Sequence, residues 1–86
     1  MAKYKIEISR SAKKQLKKLP REDQQRVVKA ILELAGEPLP RGVRKLAGYD
    51  DVFRIRVGRY RIIYSVSSGK LVIIILMIGH RKNVYR

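Results

Sequence analysis

The strongest chemical signal in this sequence comes from three arginines at alternating positions, Arg54, Arg56 and Arg61. They lie in a run, residues 52–64, whose alternation predicts two strands joined by a two-residue turn that begins at Gly58. This pairing places Arg56 opposite Arg61, with Arg54 on the same face. Like charges directly opposite each other destabilise an antiparallel pair. A sheet face that still concentrates guanidinium groups is therefore predicted to bind an anion, and phosphate matches the bidentate geometry of arginine.

Arginines around a phosphate also have a catalytic use. They stay charged in any protein environment, so they can hold a scissile phosphate and stabilise the added negative charge of a pentacoordinate transition state. The alternative interpretation is a solvated basic sheet face with no bound ligand. The alternation alone leaves both interpretations open.

The C-terminal segment, residues 79–86, adds three further candidates: His80, Arg81 and Tyr85. The unperturbed pKa of histidine, about 6.5, permits proton exchange near neutrality, and neighbouring cations favour the neutral imidazole. His80 is therefore a candidate general base or a group that orients the nucleophile, and otherwise a polar residue at the end of a strand. Tyr85 either stacks on an exposed base or anchors the C-terminus against the sheet.

A second basic set is predicted to bind nucleic acid without base specificity. Four lysines cover the polar side of the first predicted helix: Lys13, Lys14, Lys17 and Lys18. Such a surface either binds phosphates with a steep salt dependence or is simply a solvated helix face. Arg44 and Lys45, in a short extended segment before Gly48, are assigned to the same RNA- and ribosome-binding set.

Length and composition indicate one small, strongly basic domain, residues 1–86. Twenty-one Lys and Arg against seven Asp and Glu give a formal net charge of +14, which suits a polyanionic partner. The absence of cysteine excludes disulfide and thiol chemistry and fits a cytoplasmic location. The start of the chain has no apolar leader, and the longest apolar run, residues 71–78, is too short to span a bilayer. That run predicts a central strand buried on both faces.

Hydrophobic periodicity predicts a strand, two helices and then an antiparallel meander. Ser9 or Ser11 is the candidate cap of the first helix, and Pro20 separates it from the second. The second helix carries a wide predicted core stripe: Val27, Val28, Ile31, Leu32, Leu34 and Ala35. If the last turn also has two residues, Ile62 pairs with Ile75 and Tyr64 with Ile73. The predicted fold class is α+β, with two N-terminal helices packed on one face of a small antiparallel sheet and the arginine face open.

Metal and cofactor chemistry find no support in the sequence. The seven acidic residues form no paired-carboxylate or metal-ligand constellation, and no second histidine accompanies His80. Neither a P-loop nor a dinucleotide-binding glycine motif is present. No metal and no cofactor are therefore predicted.

Three segments of the chain, residues 43–48, 53–64 and 79–85, together resemble the RelE toxins of the RelE/ParE superfamily. The opening segment, residues 11–20, also fits, so the resemblance extends over essentially the whole chain. It implies a toxin of a type II toxin–antitoxin pair that enters the ribosomal A site and cuts mRNA without a metal. In such proteins the 2′-hydroxyl attacks the adjacent phosphate, leaving a 2′,3′-cyclic phosphate and a 5′-hydroxyl.

The resemblance also implies a site. Its basic and aromatic positions correspond here to Arg54, Arg56, Arg61, Arg81 and Tyr85. The tyrosine stacks on the substrate base, and the basic residues supply charge stabilisation and proton transfer. Arg56 stands where the family has a lysine to which general-base catalysis is assigned, and arginine is a poor base because its pKa exceeds 12. His80 is the alternative base, as a histidine near the C-terminus is in some relatives.

The partners implied by the resemblance are a cognate acidic antitoxin, the ribosome with its mRNA and rRNA, and operator DNA bound only as the toxin–antitoxin complex. The basic charge independently favours an acidic partner, and no membrane partner is predicted. Two other functions stay open. One is a ParE-type inhibitor of DNA gyrase, and the other is a non-catalytic basic module that docks nucleic acid.

Overall fold

A computed structural model describes residues 3–80 of the chain, and these form two helices and a five-stranded sheet. The elements in chain order are β1 (Lys5–Ile8), α1 (Arg10–Lys17), α2 (Arg21–Glu33), β2 (Arg44–Lys45), β3 (Val52–Val57), β4 (Tyr60–Ser67) and β5 (Val72–His80). The order of strands in the sheet is β1-β5-β4-β3-β2. No helix within residues 3–80 is long and apolar enough to cross a membrane.

The predicted α+β class, with two N-terminal helices on one face of a small sheet, is confirmed. The sheet is mixed rather than purely antiparallel, because β1 pairs in parallel with β5 while the other pairs are antiparallel. The helices α1 and α2 separate β1 from the meander and so form part of the long connection that parallel strands require. Alternation in the sequence of β1 indicated a strand but carried no information about its direction.

The side chain of Ser9 fixes the start of α1 and joins it to the sheet. Its Oγ accepts a hydrogen bond from the Ala12 N–H at 3.0 Å and donates one to the Leu76 carbonyl at 3.0 Å. Of the two serines that the sequence offered as caps, Ser9 is therefore the one used. Two residues further along β5, the Ile78 N–H donates to Oε1 of Gln15 in α1 at 2.7 Å. Together these bonds satisfy backbone groups of β5 beyond the point where β1 ends.

We expect Ser9→Ala to lower the free energy of unfolding by about 1 kcal/mol, because it removes a helix N-cap. Ser11→Ala is the matched control, since Ser11 is exposed within α1 and did not become the cap. Urea denaturation of both variants measures the difference. Equal losses in the two variants would contradict the assignment of the cap to Ser9.

The pairing of β3 with β4 agrees with the predicted register. The predicted partners are all observed: Phe53 with Tyr64, Ile55 with Ile62, Arg56 with Arg61, and Val57 with Tyr60. Gly58 has a φ of 60°, the left-handed conformation that a hairpin turn with glycine in its first position requires. The local chemistry of this turn therefore determines which arginines face each other.

The predicted pairing of β4 with β5 is wrong. Ser67 pairs with Val72, so the connection has four residues rather than two, and Leu71 closes it with a φ of 56°. Tyr64 consequently pairs with Ile75, and an irregularity between Ile63 and Tyr64 then shifts the register again. Beyond that bulge, Ile62 pairs with Ile78. An extra residue of this kind reverses the face on which every later side chain of β5 lies.

The core lies between the helices and one face of the sheet. Its fully buried residues come from both layers: Val27, Ile31, Leu34, Ile62, Tyr64, Ile73, Ile75 and Ile78. The stripe predicted for α2 was too wide, because Leu32 is 62% exposed and Val28 is 37% exposed. The prediction that β5 is buried on both faces is also wrong, since Leu76 and Met77, next to the bulge, are exposed.

Candidate functional site

Four arginines share the face of the sheet that lies opposite the core residues of β3 and β4. Arg44 in β2 pairs with Arg54 in β3, and Arg56 in β3 pairs with Arg61 in β4. Partners directly opposite in an antiparallel pair have Cα atoms about 4.5–5.5 Å apart, so each pair brings two guanidinium-bearing side chains together. The Arg56–Arg61 pair was predicted. The sequence placed Arg44 in an extended segment but gave no partner for it.

A cleft of about 920 Å³ adjoins this arginine face along β3, where the short strand β2 leaves the end of β3 without a neighbour on that side. Five arginines are among its lining residues: Arg41, Arg44, Arg54, Arg56 and Arg61. Two carboxylates, Glu33 and Glu37, line it from the end of α2 and the loop that follows. Because cations outnumber anions on its walls, the cleft has the charge that an anionic ligand needs.

The arginine face is less open than predicted. Val52 and Ile63 belong to this face by register, and each is only 9% exposed. Arg54 and Arg61 are themselves half-buried, whereas Arg56 is exposed. Long arginine side chains commonly cover apolar surface with their aliphatic stems while the charged ends stay accessible. This packing limits the positions that the guanidinium groups of the half-buried arginines can take.

Tyr64 connects the sheet to the loop that supplies Arg41. Its hydroxyl donates to the Pro38 carbonyl at 2.7 Å, and its ring lies 6.0 Å from that of Phe53. Burial raises the pKa of Tyr64 to about 12. The hydrogen bond fixes the loop after α2 relative to β4, and so it fixes the distance between the loop side and the sheet side of the cleft.

We expect Tyr64 to ionise only near pH 12, because burial raises its pKa to about 12. Because this pKa is higher in the folded protein than in the unfolded chain, Tyr64 stabilises the fold below pH 10 and loses that contribution as the pH rises from about 10 towards 12. Absorbance of tyrosinate against pH measures the ionisation. A high-pH limb of the titration that is unchanged in Tyr64→Phe would contradict the assignment.

His80 lies apart from the arginines. It pairs with Tyr60, whose side chain belongs to the core face, whereas its neighbour Gly79 pairs with Arg61. The rings of Tyr60 and His80 meet edge to face with centroids 5.9 Å apart. Tyr60 in turn donates to the Asp23 carboxylate at 2.7 Å, and this hydrogen bond raises the pKa of Tyr60. The structure therefore places His80 in contact with Tyr60, on the other face of the sheet from the arginine pairs.

None of the five predicted lysines lines the cleft. The four lysines of the predicted binding set, Lys13, Lys14, Lys17 and Lys18, are exposed around the end of α1, and none lines the cleft. Lys45 pairs with Phe53, so it lies on the opposite face from its neighbour Arg44. Arg81 and Tyr85 lie outside the described residues. Their assignment to the site stays a prediction.

Sequence reasoning missed three residues of the cleft, namely Arg41, Glu33 and Glu37. They come from α2 and from a loop rich in proline and glycine, where side-chain periodicity gives no signal about facing partners. Only the packing of α2 on the sheet brings them opposite β3. Within residues 3–80, no group of three or more histidines and carboxylates is placed to hold a metal ion.

Comparisons with known proteins agree on one group of relatives. A family model described as the ParE toxin of type II toxin–antitoxin systems matches residues 6–85. Toxin RelG of Mycobacterium tuberculosis is 34% identical over 91 aligned positions, covering 96% of this chain and 97% of RelG. The Methanocaldococcus jannaschii protein RelE1 is 32% identical over 87 positions, covering 98% and 97%. Among solved structures, the archaeal RelE–RelB complex of Pyrococcus horikoshii matches with a TM-score of 0.84 and 36% identity, covering 95% of this chain and 99% of that one.

Proposed function

The chain belongs to the RelE/ParE family of type II toxin–antitoxin toxins, and on that basis we propose that it is a metal-independent, ribosome-dependent endoribonuclease that cuts mRNA in the A site. The observation that carries the proposal is the direct pairing of Arg56 with Arg61 in a cleft whose walls carry more arginines than carboxylates. A pair of like charges weakens the sheet unless an anion is bound between them. A phosphodiester is the anion that this family of toxins is proposed to cut.

In the proposed reaction, the 2′-hydroxyl of one nucleotide attacks the adjacent phosphorus, and the bond from phosphorus to the 5′-oxygen of the next nucleotide breaks. The products are a 2′,3′-cyclic phosphate and a 5′-hydroxyl. Arg56 and Arg61 bind the non-bridging oxygens, whose negative charge increases in the transition state, and Arg54 adds positive charge from β3. One such preorganised donor typically contributes about 10²–10³-fold to the rate.

In this proposal the positive charge of the arginines promotes loss of the 2′-hydroxyl proton, and no side chain acts as a general base. Arginine is a poor base because its pKa exceeds 12. The register sets His80 opposite Tyr60, on the other face of the sheet from Arg56 and Arg61, and for this reason we do not propose His80 as the base. We assign the proton of the 2′-hydroxyl to water, with the guanidinium groups stabilising the alkoxide as it forms, and the departing 5′-oxygen takes its proton from water. Arg81 and Tyr85 keep the roles that the resemblance implies, which are charge stabilisation and base stacking.

We therefore expect His80→Gln to retain cleavage within about tenfold of wild type, because a general base typically contributes about 10²–10⁴-fold. Single-turnover cleavage of mRNA on ribosomes, measured across a pH range, gives the comparison. A loss of a hundredfold or more with a flattened pH profile would instead assign the base to His80. The thermal midpoint of the variant separates that result from a loss of packing against Tyr60.

The partners follow from the family and the charge. The Pyrococcus horikoshii relative was solved as a complex with RelB, and we propose that a cognate antitoxin binds this chain in the same way. A net charge of +14 favours an acidic antitoxin segment. We propose that the toxin acts in the cytoplasm on ribosomes, and that operator DNA is bound only by the toxin–antitoxin complex.

Inhibition of DNA gyrase is the second candidate function, because the matching family model is described by the ParE toxin. A gyrase inhibitor needs no phosphate-binding arginine pair, so the Arg56–Arg61 pair favours the nuclease. A supercoiling assay with purified gyrase tests this candidate directly. A non-catalytic nucleic-acid module is the third candidate, for which variants of the arginines would change affinity alone.

The chemistry of the cut tests the proposal. The substrate is a synthetic mRNA placed in the ribosomal A site with a single 2′-deoxynucleotide immediately before the phosphate that is cut in the unmodified message. We expect cleavage at that phosphate to disappear, and the unmodified message to end in a 2′,3′-cyclic phosphate. Cleavage that continues at the substituted position would exclude attack by the 2′-hydroxyl.

A further inference from the structure

The arginine face continues beyond the pair that the proposed reaction uses. Arg44 and Arg54 form a second direct pair of cations, in β2 and β3. Arg54 and Arg56 are two residues apart on one strand, so the second pair lies about 6.6 Å along β3 from the first. Each pair brings two guanidinium groups together, and one such group is enough to bind a phosphate bidentately. The two pairs are therefore spaced for two anions side by side rather than for one.

Both pairs line the cleft, and a further arginine from outside the sheet joins them there. Arg41, from the loop after α2, lines the same cleft as Arg44 and Arg54 and is exposed. Glu33 and Glu37 line it as well, from the helix side, and their carboxylates repel phosphate from that wall. An extended polyanion in the cleft is thus directed onto the sheet, between the loop arginine and the paired arginines of β2 and β3.

We propose that Arg41 and Arg44, together with Arg54, form a second phosphate subsite, which binds the phosphodiester next to the one that is cut on the same RNA strand. The inference rests on the proposed function for the identity of the strand. It assigns a specific ligand to Arg44, for which the sequence indicated only general binding, and adds Arg41, for which it indicated none. The subsite sets which linkage of a bound strand reaches Arg56 and Arg61.

A chemical double-mutant cycle tests the subsite without ribosomes and without cleavage. The probes are 2′-O-methyl trinucleotides, which lack the attacking hydroxyl. One carries two phosphates, and two others carry a neutral methylphosphonate at one linkage or the other. Binding of the full-length protein is measured by fluorescence anisotropy at low ionic strength. Because all three probes have the same bases, stacking is constant and only one charge changes.

We expect one of the two methylphosphonate probes to bind wild type about tenfold more weakly than the diphosphate probe, with a loss that depends on Arg44 and Arg41. In Arg44→Gln that methylphosphonate probe and the diphosphate probe should bind within about twofold of each other, because the phosphate at that linkage has lost its partner. Arg41→Gln, in a loop, should reduce the same difference and provides a second variant if Arg44→Gln folds poorly. Arg26→Gln, an exposed arginine of α2 that does not line the cleft, should keep the full difference.

The proposal is overturned if the charge effect is as large in Arg44→Gln and Arg41→Gln as in Arg26→Gln, if neutralising either linkage changes nothing, or if none of the probes binds. Failure of the nuclease proposal would be seen in a different experiment, as an mRNA that stays intact on ribosomes. If the message stays intact but the loss of affinity depends on Arg44 and Arg41, the protein has a two-phosphate binding site and does not cleave. If the message is cut but the loss of affinity does not depend on Arg44 and Arg41, only the proposal of a second subsite fails.

Discussion

Arg61→Ala should lower the rate of mRNA cleavage on ribosomes by about 10²–10³-fold, because it removes one of the two opposed guanidinium groups that we propose stabilise the transition state. The protein should stay folded. Arg61 is half-buried on the arginine face, and its loss relieves the repulsion from Arg56 across the strand pair. We therefore expect the free energy of unfolding to change by no more than about 1 kcal/mol. Single-turnover cleavage and urea denaturation measure the two quantities on the same preparation.

Arg26→Ala is the matched control for Arg61→Ala, since Arg26 is an exposed arginine on α2, outside the cleft. It removes the same charge from the protein, so it corrects for the general attraction between a basic protein and RNA. Retention of most of the activity in Arg61→Ala, or an equal loss in Arg26→Ala, would mean that the arginine pair is not catalytic. A weaker affinity for ribosomes with an unchanged cleavage rate would mean that the arginine pair only binds RNA.

Ile62→Ala should have the largest effect on stability, a loss of about 2–5 kcal/mol. Ile62 is the next residue after Arg61 on β4, but its side chain is fully buried on the core face, between Ile55 in β3 and Ile78 in β5. Truncation removes apolar burial and leaves a cavity in the middle of the sheet. A domain of this size has a total stability of only about 4–13 kcal/mol, so the variant should be partly unfolded.

Val28→Ala is the control for Ile62→Ala, because Val28 was also predicted to be in the core but is 37% exposed on α2. We expect it to cost less than about 1 kcal/mol, since little apolar surface is lost from burial. Chemical denaturation of the two variants gives the comparison. A loss of similar size in both would place Val28 in the core and contradict the packing described above.

The hairpin of β3 and β4 was predictable because its information is local. Alternation of apolar and basic residues specifies which side chains share a face, and the glycine in the turn specifies where the chain reverses. Together they gave the Arg56–Arg61 pair, on which the function is argued. The cap at Ser9 was likewise one of two local choices, and its selection needed only the position of the Leu76 carbonyl.

The position of His80 was not predictable, because it depends on a bulge. The alternation of β5 is interrupted at Leu76 and Met77, where both side chains are exposed. Without the register shift beside Ile63, the same strand would have presented His80 to the arginine face instead of to Tyr60. An eight-residue run of apolar side chains hides such an interruption, since every position in it is hydrophobic.

The residues that line the cleft could not be predicted from the sequence either. Arg41 reaches the arginine face through the hydrogen bond from Tyr64 to the Pro38 carbonyl, which joins residues 26 positions apart. The pairing of Arg44 with Arg54 spans a loop whose length gave no register. Contacts of this kind depend on how the helices and the loop pack on the sheet, and periodicity within one element does not report them.

The most direct test of the nuclease is primer extension on an mRNA that is being translated in a purified system, with wild-type protein, with Arg61→Ala and with no ribosomes. We predict new ends within codons at the A site for wild type, and none with Arg61→Ala or on naked RNA. An intact message with wild-type protein would contradict the proposal, and inhibition of gyrase by the same preparation would then favour the ParE-type function. Cuts that persist with Arg61→Ala would contradict the role given to the arginine pair.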